Sequence, residues 1–385
     1  MLGPTIVGPK MAGSFNKIII HYAQKGVVSI SDNKKQMYVI KLLAKARALL
    51  FNDIADLCFH GDLKQCYKEL NSLSDKGIIV GRASPFDKRA KYAVLGTKGI
   101  QVAQQLGMNV SNTILLPSRA REALLDSQIF VYLCSARIPE CDIFARQEAA
   151  REFNVLPSRT PMSWAVQLNK EKHAFYRRRE QKRSWLLNGI LQLDANRSTL
   201  NNPKLVPASH AICYHPDLDL SRDRRWLANN ASLPKNVHLL RFEDIPAYIK
   251  AIQNPLGYAY AMKSALDILA PGGKIYPLDN APFDHAWDKL GSPLFLADLT
   301  THNISHIQKA RDLPPKHFEK WAKGILFLVS TPQEAQIWGR LVEYRPWVWF
   351  LVKNTPEGPA LYRCYNQQVT PFRTAKEQTP KKEVI

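Results

Sequence analysis

The sequence predicts an α+β protein, in which a small helical unit with a β-hairpin precedes an α/β domain built on a mixed sheet. Three observations predict this class. Apolar residues recur at helical spacing from residue 34 to about residue 76. Two short apolar segments with a charged loop between them follow. From about residue 186, candidate strands alternate with helical patterns. A chain of 385 residues also exceeds one core of ordinary size, so we expect at least two domains.

The first unit is expected to span residues 34–110. Its first helix carries apolar residues near one face, namely Met37, Ile40, Leu43 and Leu50. Asn52 and Asp62 have side chains that cap helix N-termini, and they predict the starts of a second and a third helix. Residues 78–80 and 92–95 predict the two strands of the hairpin. Three helices followed by a hairpin is the order of a winged helix-turn-helix, which places a helix in the major groove of DNA.

The charge of the chain favours a nucleic-acid partner. Lys and Arg number 53 against 33 Asp and Glu, a net charge of +20. Residues 34–107 alone contain thirteen Lys or Arg and six Asp or Glu, a net charge of +7. Basic side chains that neutralise phosphates release counterions, which favours binding. The predicted third helix exposes Lys64, Gln65, Lys68 and Asn71, and the hairpin offers Arg82, Lys88, Arg89 and Lys91. Each group alone fits a solvated surface, but together they predict double-stranded DNA as the partner of this unit.

A second basic segment covers residues 170–185, KEKHAFYRRREQKRSW, with seven basic and two acidic residues. It has two interpretations. In the first interpretation, the segment follows a phosphate backbone or stacks on unpaired bases, and its basic residues extend the DNA contact. Alternatively, it is the solvated face of a helix that buries Phe175 and Trp185. The residues concerned in the first interpretation are Arg177, Arg178, Arg179, Lys182 and Arg183.

The remaining chain completes the expected domain organisation. We expect an N-terminal arm at 1–33, a helical, basic linker region at 111–185, an α/β domain at 186–373 and a disordered tail at 374–385. In the α/β domain the predicted strands cover residues 210–213, 237–241, 274–278, 293–298, 325–330 and 347–352. The predicted helices cover residues 243–253, 257–269, 302–311 and 332–342.

Cysteine usage and hydropathy predict a cytoplasmic protein. The six cysteines are scattered without zinc-ligand spacing, and Cys58 and Cys66 fall at apolar positions of helical patterns. The first twenty residues lack the pattern of a secretory signal. No apolar run approaches the about 18 residues that a membrane-spanning helix needs, so we expect no membrane insertion.

Several segments carry a resemblance to a known family. In the first unit they are MYVIKLLAKARALLFNDIADLCF, LKQCYKELNSLSDKGII and RAKYAVLGTKG, and near the end FLADLTTHNISHIQKA and KGILFLVSTPQEAQIW. On these segments the sequence resembles the replication-relaxation family of plasmids and integrated mobile elements, which is related to a class of plasmid mobilisation relaxases. The resemblance implies a winged helix joined to a restriction-endonuclease-like domain. It also implies a role in mobilisation or replication, with other relaxosome or conjugation proteins as candidate partners; a homodimer is compatible with it.

The nuclease-like domain that the resemblance implies needs a specific set of residues. Metal-dependent phosphodiester cleavage needs two acidic side chains on adjacent strands, which hold Mg²⁺ or Mn²⁺, and a lysine near the attacking water. Asp279 and Asp298 follow predicted strands and are the candidate catalytic residues and metal ligands. Thr300 stands where the family has its lysine or a second acidic residue. Lys309 is therefore the candidate catalytic lysine, with Lys289 as a substitute.

Other groups with catalytic potential are weaker candidates. His302 and His306 are spaced as ligands or bases, although such histidines are more often polar surface residues. Tyr214, beside His215, is the candidate for a tyrosine nucleophile. Three hypotheses follow. The first is a DNA-binding accessory protein of a mobile element with a catalytically silent nuclease-like domain and no cofactor. The second is a metal-dependent DNA nickase, and the third is a transcriptional regulator whose second domain dimerises or senses a ligand.

Overall fold

The computed structural model describes residues 34–153, 162–179, 186–191, 209–230, 233–234, 236–279, 281–289, 291, 293–314 and 322–374. The expected N-terminal arm and, apart from Thr374, the expected tail lie outside these residues. The chain divides into two compact units, Met1–Ser127 and Gln128–Ile385. Each unit combines helices with β-sheet, and the larger one has mixed sheets, so the predicted α+β class is confirmed.

The first unit has helices on both sides of a β-hairpin in the sequence. The helices are α1 (Lys34–Ala46), α2 (Phe51–Phe59), α3 (Leu63–Asp75) and α4 (Thr97–Gln105). The strands β1 (Leu49–Leu50), β2 (Ile79–Ala83) and β3 (Lys91–Leu95) form an antiparallel sheet in the order β1-β3-β2. The helix α5 (Ala120–Ser135) then leads out of this unit. Its first turns pack Ala120 and Leu124 against Tyr92 and Val94 of β3.

Local sequence explains where these helices begin and how closely they pack. The Asp62 side chain accepts a hydrogen bond from the Gln65 N–H at 2.9 Å, so Asp62 is the N-cap of α3, as predicted. Asn52 is not a cap, because α2 already begins at Phe51. Gly99 lets α4 approach the backbone of Ile78, since a Cβ at this glycine would lie 2.0 Å from the Ile78 carbonyl oxygen.

The second unit contains two sheets. The five-stranded sheet has the order β4 (Ile143–Ala145), β5 (Trp164–Leu168), β6 (Glu171–Arg177), β7 (Ser209–Tyr214) and β8 (Val237–Arg241). The seven-stranded sheet runs in sequence order from β9 to β15: β9 (Lys274–Pro277), β10 (His285–Asp288), β11 (Leu294–Asp298), β12 (Gly324–Val329), β13 (Val348–Val352), β14 (Ala360–Tyr365) and β15 (Gln368–Thr374). The helices between strands are α6 (Arg146–Glu152), α7 (Leu220–Asn230), α8 (Ile245–Gln253), α9 (Gly257–Leu269), α10 (Ile304–Asp312) and α11 (Pro332–Leu341).

The two sheets share one topology. In the first, β4, β5 and β6 pair antiparallel, and β6, β7 and β8 pair parallel. In the second, β9, β10 and β11 pair antiparallel, and β11, β12 and β13 pair parallel. The helix α7 lies between β7 and β8 in the chain, as α11 lies between β12 and β13. The unit therefore contains the same arrangement twice, and β14 and β15 extend the second copy.

Side-chain alternation gives the seven-stranded sheet two buried faces. Phe295, Phe327 and Phe350 point into a core that the two sheets share, together with residues of α10 and α11. Leu296 and Leu328 point to the other face, which α9 covers. Asp298 follows Leu296 at an interval of two residues and therefore belongs to the α9 face, at the carboxyl end of β11.

The structure corrects the expected linker at 111–185. This region contains the helices α5 and α6, but its strands β4, β5 and β6 belong to the five-stranded sheet of the second unit. The strands and helices predicted from residue 210 onward are confirmed within a few residues. The predicted set omitted β10, β14 and β15 and the helix α7.

Candidate functional site

The helix α3 carries four of the predicted DNA-contacting residues. Lys64, Lys68 and Asn71 are exposed. Gln65 is half-buried, and its Oε1 accepts a hydrogen bond from Lys35 Nζ of α1 at 3.4 Å. The helix thus offers two cationic side chains and one amide to a partner.

The hairpin loop between β2 and β3 supplies further cations beside α3. Lys88, Arg89 and Lys91 are exposed. Lys91 Nζ lies 5.9 Å from the ring centroid of Tyr67, a residue of α3. This contact brings the loop end of the hairpin to the side of α3 and joins the two groups of cations on one surface. We name it the α3–hairpin surface: Lys64, Lys68, Asn71, Lys88, Arg89 and Lys91.

Arg82 differs from the other predicted hairpin residues. It is half-buried, and its Nη1 donates a hydrogen bond to the Leu115 carbonyl oxygen at 2.7 Å. The guanidinium therefore holds the segment before α5 against the hairpin. We remove Arg82 from the predicted DNA-contacting set for this reason.

The basic segment at 170–185 is a strand in its first half and not a surface helix. The strand β6 lies between β5 and β7, so its side chains point into packed layers on both faces. Arg177 is 5% exposed and Arg178 is 8% exposed, so both are corrected from DNA-contacting to buried residues. Arg178 Nε lies 2.6 Å from Asp223 Oδ2 of α7. Arg179 is exposed, whereas Lys182 and Arg183 lie outside the described residues.

The two predicted catalytic acids lie at the carboxyl edge of the seven-stranded sheet, but not on neighbouring strands. Asp279 lies two residues after Pro277 of β9, and Asp298 lies two residues after Leu296 of β11. Pro277 and Leu296 both pair with His285, on opposite sides of β10. The strand β10 therefore lies between them, and two strand spacings amount to roughly 10 Å. The prediction that they lie on adjacent strands is wrong. Lys309 Nζ donates to the Pro282 carbonyl oxygen at 3.4 Å, in the loop between β9 and β10 that also carries Asp279.

Asp298 has a different set of neighbours. Its Oδ1 accepts hydrogen bonds from the Thr300 backbone N–H at 2.8 Å and from Thr300 Oγ1 at 2.6 Å. Burial raises the pKa of the Asp298 carboxyl, while the Thr300 hydrogen bonds and the charge of Lys353 act to lower it. Asp284, at the start of β10, lies at the same edge. Burial first, and then the charges of Asp284 and Asp298, raise the pKa of Tyr258, whose hydroxyl lies 2.6 Å from His285 Nδ1.

These neighbours were missed in the sequence because β10 was not predicted. They do not complete a metal site: within the described ranges, no three His, Cys, Asp or Glu side chains are grouped to hold an ion. Asp298 is also a poor ligand as it stands, because one oxygen is occupied by Thr300 and burial favours the protonated carboxyl. The residues present therefore do not fit Mg²⁺ or Mn²⁺, and we derive no metal-dependent step.

Tyr214 is not an accessible nucleophile. The residue is 1% exposed, and its hydroxyl donates to Asp223 Oδ2 at 3.1 Å. The same carboxylate binds Arg178. Tyr214 therefore belongs to a buried polar group at the carboxyl end of β7.

A second polar group lies where the two sheets of the larger unit meet. Arg224 of α7 stacks on Trp338 of α11, with the guanidinium carbon 4.5 Å from the ring centroid. The ring centroid of His302 lies 6.2 Å from that of Trp338, and His302 Nε2 lies 3.6 Å from Asp244 Oδ2. Burial, and then the charge of Arg224, lowers the pKa of His302 to about 4, so its imidazole is neutral at pH 7. We name Arg224, Trp338 and His302 the Arg224 cluster.

Comparisons with known proteins add no relative. The chain matches no protein-family model, no curated protein and no solved structure. Among the helices that the structure describes, none combines the length and the apolar composition needed to cross a membrane.

Proposed function

We propose that the first unit is a winged helix-turn-helix that binds double-stranded DNA through the α3–hairpin surface. The observation that carries this proposal is the contact of Lys91 with Tyr67, which brings the hairpin beside α3. A helix fits the major groove, while a hairpin beside it reaches the backbone or the minor groove. Lys68 on α3 and Arg89 on the hairpin are then the side chains that bind phosphates.

The electrostatics of the unit support this docking. The exposed side chains of this surface include five cations, Lys64, Lys68, Lys88, Arg89 and Lys91. The net charge of +7 over residues 34–107 adds a sequence-independent attraction.

The role of the second unit in this proposal is that of a nuclease-like scaffold without metal-dependent chemistry. Its mixed seven-stranded sheet, with α9 on one face and α10 and α11 on the other, is compatible with the restriction-endonuclease-like domain that the family resemblance implies. The occupied carboxylate of Asp298 argues against catalysis there. The whole chain is then a DNA-binding accessory protein that acts in the mobilisation or replication of a mobile element.

The DNA-binding surface is tested by the salt dependence of binding. Lys68→Ala and Arg89→Ala should each weaken binding to a fluorescent duplex and reduce the slope of log affinity against log salt by about one unit per lost phosphate contact. Fluorescence anisotropy over a salt series measures both quantities. Lys98→Ala is the matched control, because Lys98 is exposed on α4 and lies outside the α3–hairpin surface. Slopes equal to wild type for both variants would exclude the proposed docking.

The nickase hypothesis is kept as a second candidate because Asp284 and Asp298 lie at one sheet edge. Supercoiled plasmid that carries the element's intergenic DNA is incubated with the protein and Mg²⁺ or Mn²⁺, beside the Asp298→Asn variant. We expect the plasmid to be bound but to remain supercoiled with both proteins. Open circles formed by wild type and absent with Asp298→Asn would instead establish the nickase.

A further inference from the structure

Arg224 is a buried cation without a counter-charge in contact. The residue is 8% exposed, and its Nε is fully enclosed without a hydrogen-bond partner. Its guanidinium contacts the Trp338 ring, and the two acidic residues whose charges act on it, Glu334 and Asp244, form no ion pair with it. Burial lowers the pKa of this guanidinium, while the charge of Glu334 acts to raise it. A buried charge is expensive unless an opposite charge compensates it.

Arg178 is a buried arginine of the same unit that has a structural partner, and it serves as a comparison for Arg224. It is also 8% exposed, but its Nε lies 2.6 Å from Asp223 Oδ2. Both arginines contact α7 or belong to it, so the two environments are directly comparable. Arg224 lacks a carboxylate in contact such as Arg178 has, since Glu334 and Asp244 act on it without an ion pair, and an anionic ligand would supply that contact.

Two further polar atoms of the cluster are without partners. Trp338 Nε1 and His302 Nδ1 are enclosed and make no hydrogen bond to any described residue. The nearby acids are occupied by other groups: Glu334 Oε2 accepts from the Ser330 N–H at 2.8 Å, and Asp244 Oδ2 accepts from the Arg241 N–H at 3.1 Å. A guanidinium, an indole N–H and an imidazole nitrogen therefore remain available on three different elements.

The position of the cluster is one where α/β proteins bind ligands. His302 follows the carboxyl end of β11, and Arg224 lies on the helix that follows β7. Ligands in such folds bind outside the carboxyl ends of parallel strands. Arg241, at the carboxyl end of β8, places a second positive charge near Arg224, and its own side chain lies 3.6 Å from Glu243 Oε1.

We propose that the Arg224 cluster binds a small oxyanion, specifically a phosphoryl group. The phosphoryl oxygens accept hydrogen bonds in several directions, which suits the donors of Arg224 on α7 and Trp338 on α11 better than a planar carboxylate does. The group belongs either to a free phosphate or mononucleotide, or to the backbone of bound DNA.

Isothermal titration of the full-length protein with inorganic phosphate, at constant ionic strength set with chloride, tests the site. Wild type should bind phosphate, and Arg224→Met should bind it at least about tenfold more weakly, because a charged hydrogen bond is lost. Arg225→Met is the matched control, since Arg225 is exposed on the same helix and loses the same charge. Trp338→Phe keeps the stacked ring but removes the N–H, and should weaken binding by a smaller factor.

Thermal unfolding without phosphate separates binding from a structural role. Arg224→Met should melt at or above the wild-type temperature, because an uncompensated charge has been replaced by an apolar side chain of similar length. Absence of phosphate binding by wild type, or equal binding by Arg224→Met and wild type, would overturn the proposal. So would a large drop in the melting temperature of Arg224→Met, which would make Arg224 structural.

Competition identifies the source of the phosphoryl group. A 5′-mononucleotide should displace inorganic phosphate, while a duplex without terminal phosphates should not. Displacement by the duplex would still support the site but would assign it to the DNA backbone. Because the DNA contacts tested by Lys68→Ala and Arg89→Ala lie in the other unit, a failure of this proposal is distinguishable from a failure of the proposed function.

Discussion

Two arginines of the larger unit show why residue roles were difficult to predict. Arg178 belongs to three consecutive arginines in a basic segment, a pattern typical of a nucleic-acid contact. Its partner, Asp223, lies 45 residues further along the chain. Arg224 occurs in an ordinary charged helix, and its contact, Trp338, lies on a distant element. A sequence pattern reports charge along the chain, whereas burial and pairing depend on elements that meet only after folding.

Removal of one partner of the Arg178–Asp223 pair should strongly destabilise the folded protein. Asp223→Ala leaves the Arg178 guanidinium buried beside Tyr214 without its carboxylate. We expect a loss of about 3–5 kcal/mol in the free energy of unfolding, the usual effect of leaving one buried charge unpaired. Urea unfolding followed by tryptophan fluorescence measures it, because all eight tryptophans lie in Gln128–Ile385.

The control for this prediction is Asp217→Ala. The Asp217 side chain is 69% exposed and contacts His215, so its removal should change stability by less than about 1 kcal/mol. The double variant Arg178→Met with Asp223→Ala should recover part of the loss, since no charge then remains buried. Equal changes in the free energy of unfolding for Asp223→Ala and Asp217→Ala would contradict the prediction that the buried pair stabilises the fold.

At the scale of elements, the clearest predictions from the sequence were the buried strands that consist almost entirely of apolar residues. The strands β12 and β13 are buried on both faces and read as continuous apolar runs, GILFLV and VWFLV. The strand β6 was missed because its sequence, EKHAFYR, has charged residues at both ends of an apolar centre. The strand β10 has only four residues, HAWD, and too little pattern to be separated from a loop.

The duplicated topology was also invisible in the sequence, and the reason bears on the site prediction. The third strand of each copy ends at Arg177 and at Asp298, respectively, so equivalent positions carry opposite charges. Topology therefore does not determine the chemistry of the sheet edge. The sequence placed Asp298 at the correct edge, but it could not show that β10 separates Asp298 from Asp279.

At the scale of the molecule, the larger unit should lose stability in acid because it buries neutral histidines. Burial lowers the pKa of His173 and His302 to about 4, and that of His210 and His238 to about 3. In the unfolded chain a histidine titrates near 6.5. Between pH 6.5 and about 4 the unfolded chain binds protons that the folded protein does not, so stability falls as the pH falls. The raised pKa of the Asp298 carboxyl has the opposite effect on the pH dependence of stability, but it is one group against four histidines.

Each histidine contributes at most about 1.4 kcal/mol per pH unit to this slope. Urea unfolding followed by tryptophan fluorescence should therefore give a free energy of unfolding that is nearly constant above pH 7 and decreases below pH 6.5. His210→Gln removes one titrating group and should make the decrease less steep by up to that amount, even if the variant is less stable because its contact with Tyr176 is altered. The slope, and not the absolute stability, carries the prediction. A pH profile of His210→Gln parallel to wild type would show that His210 is protonated equally in both states and is not held neutral by burial.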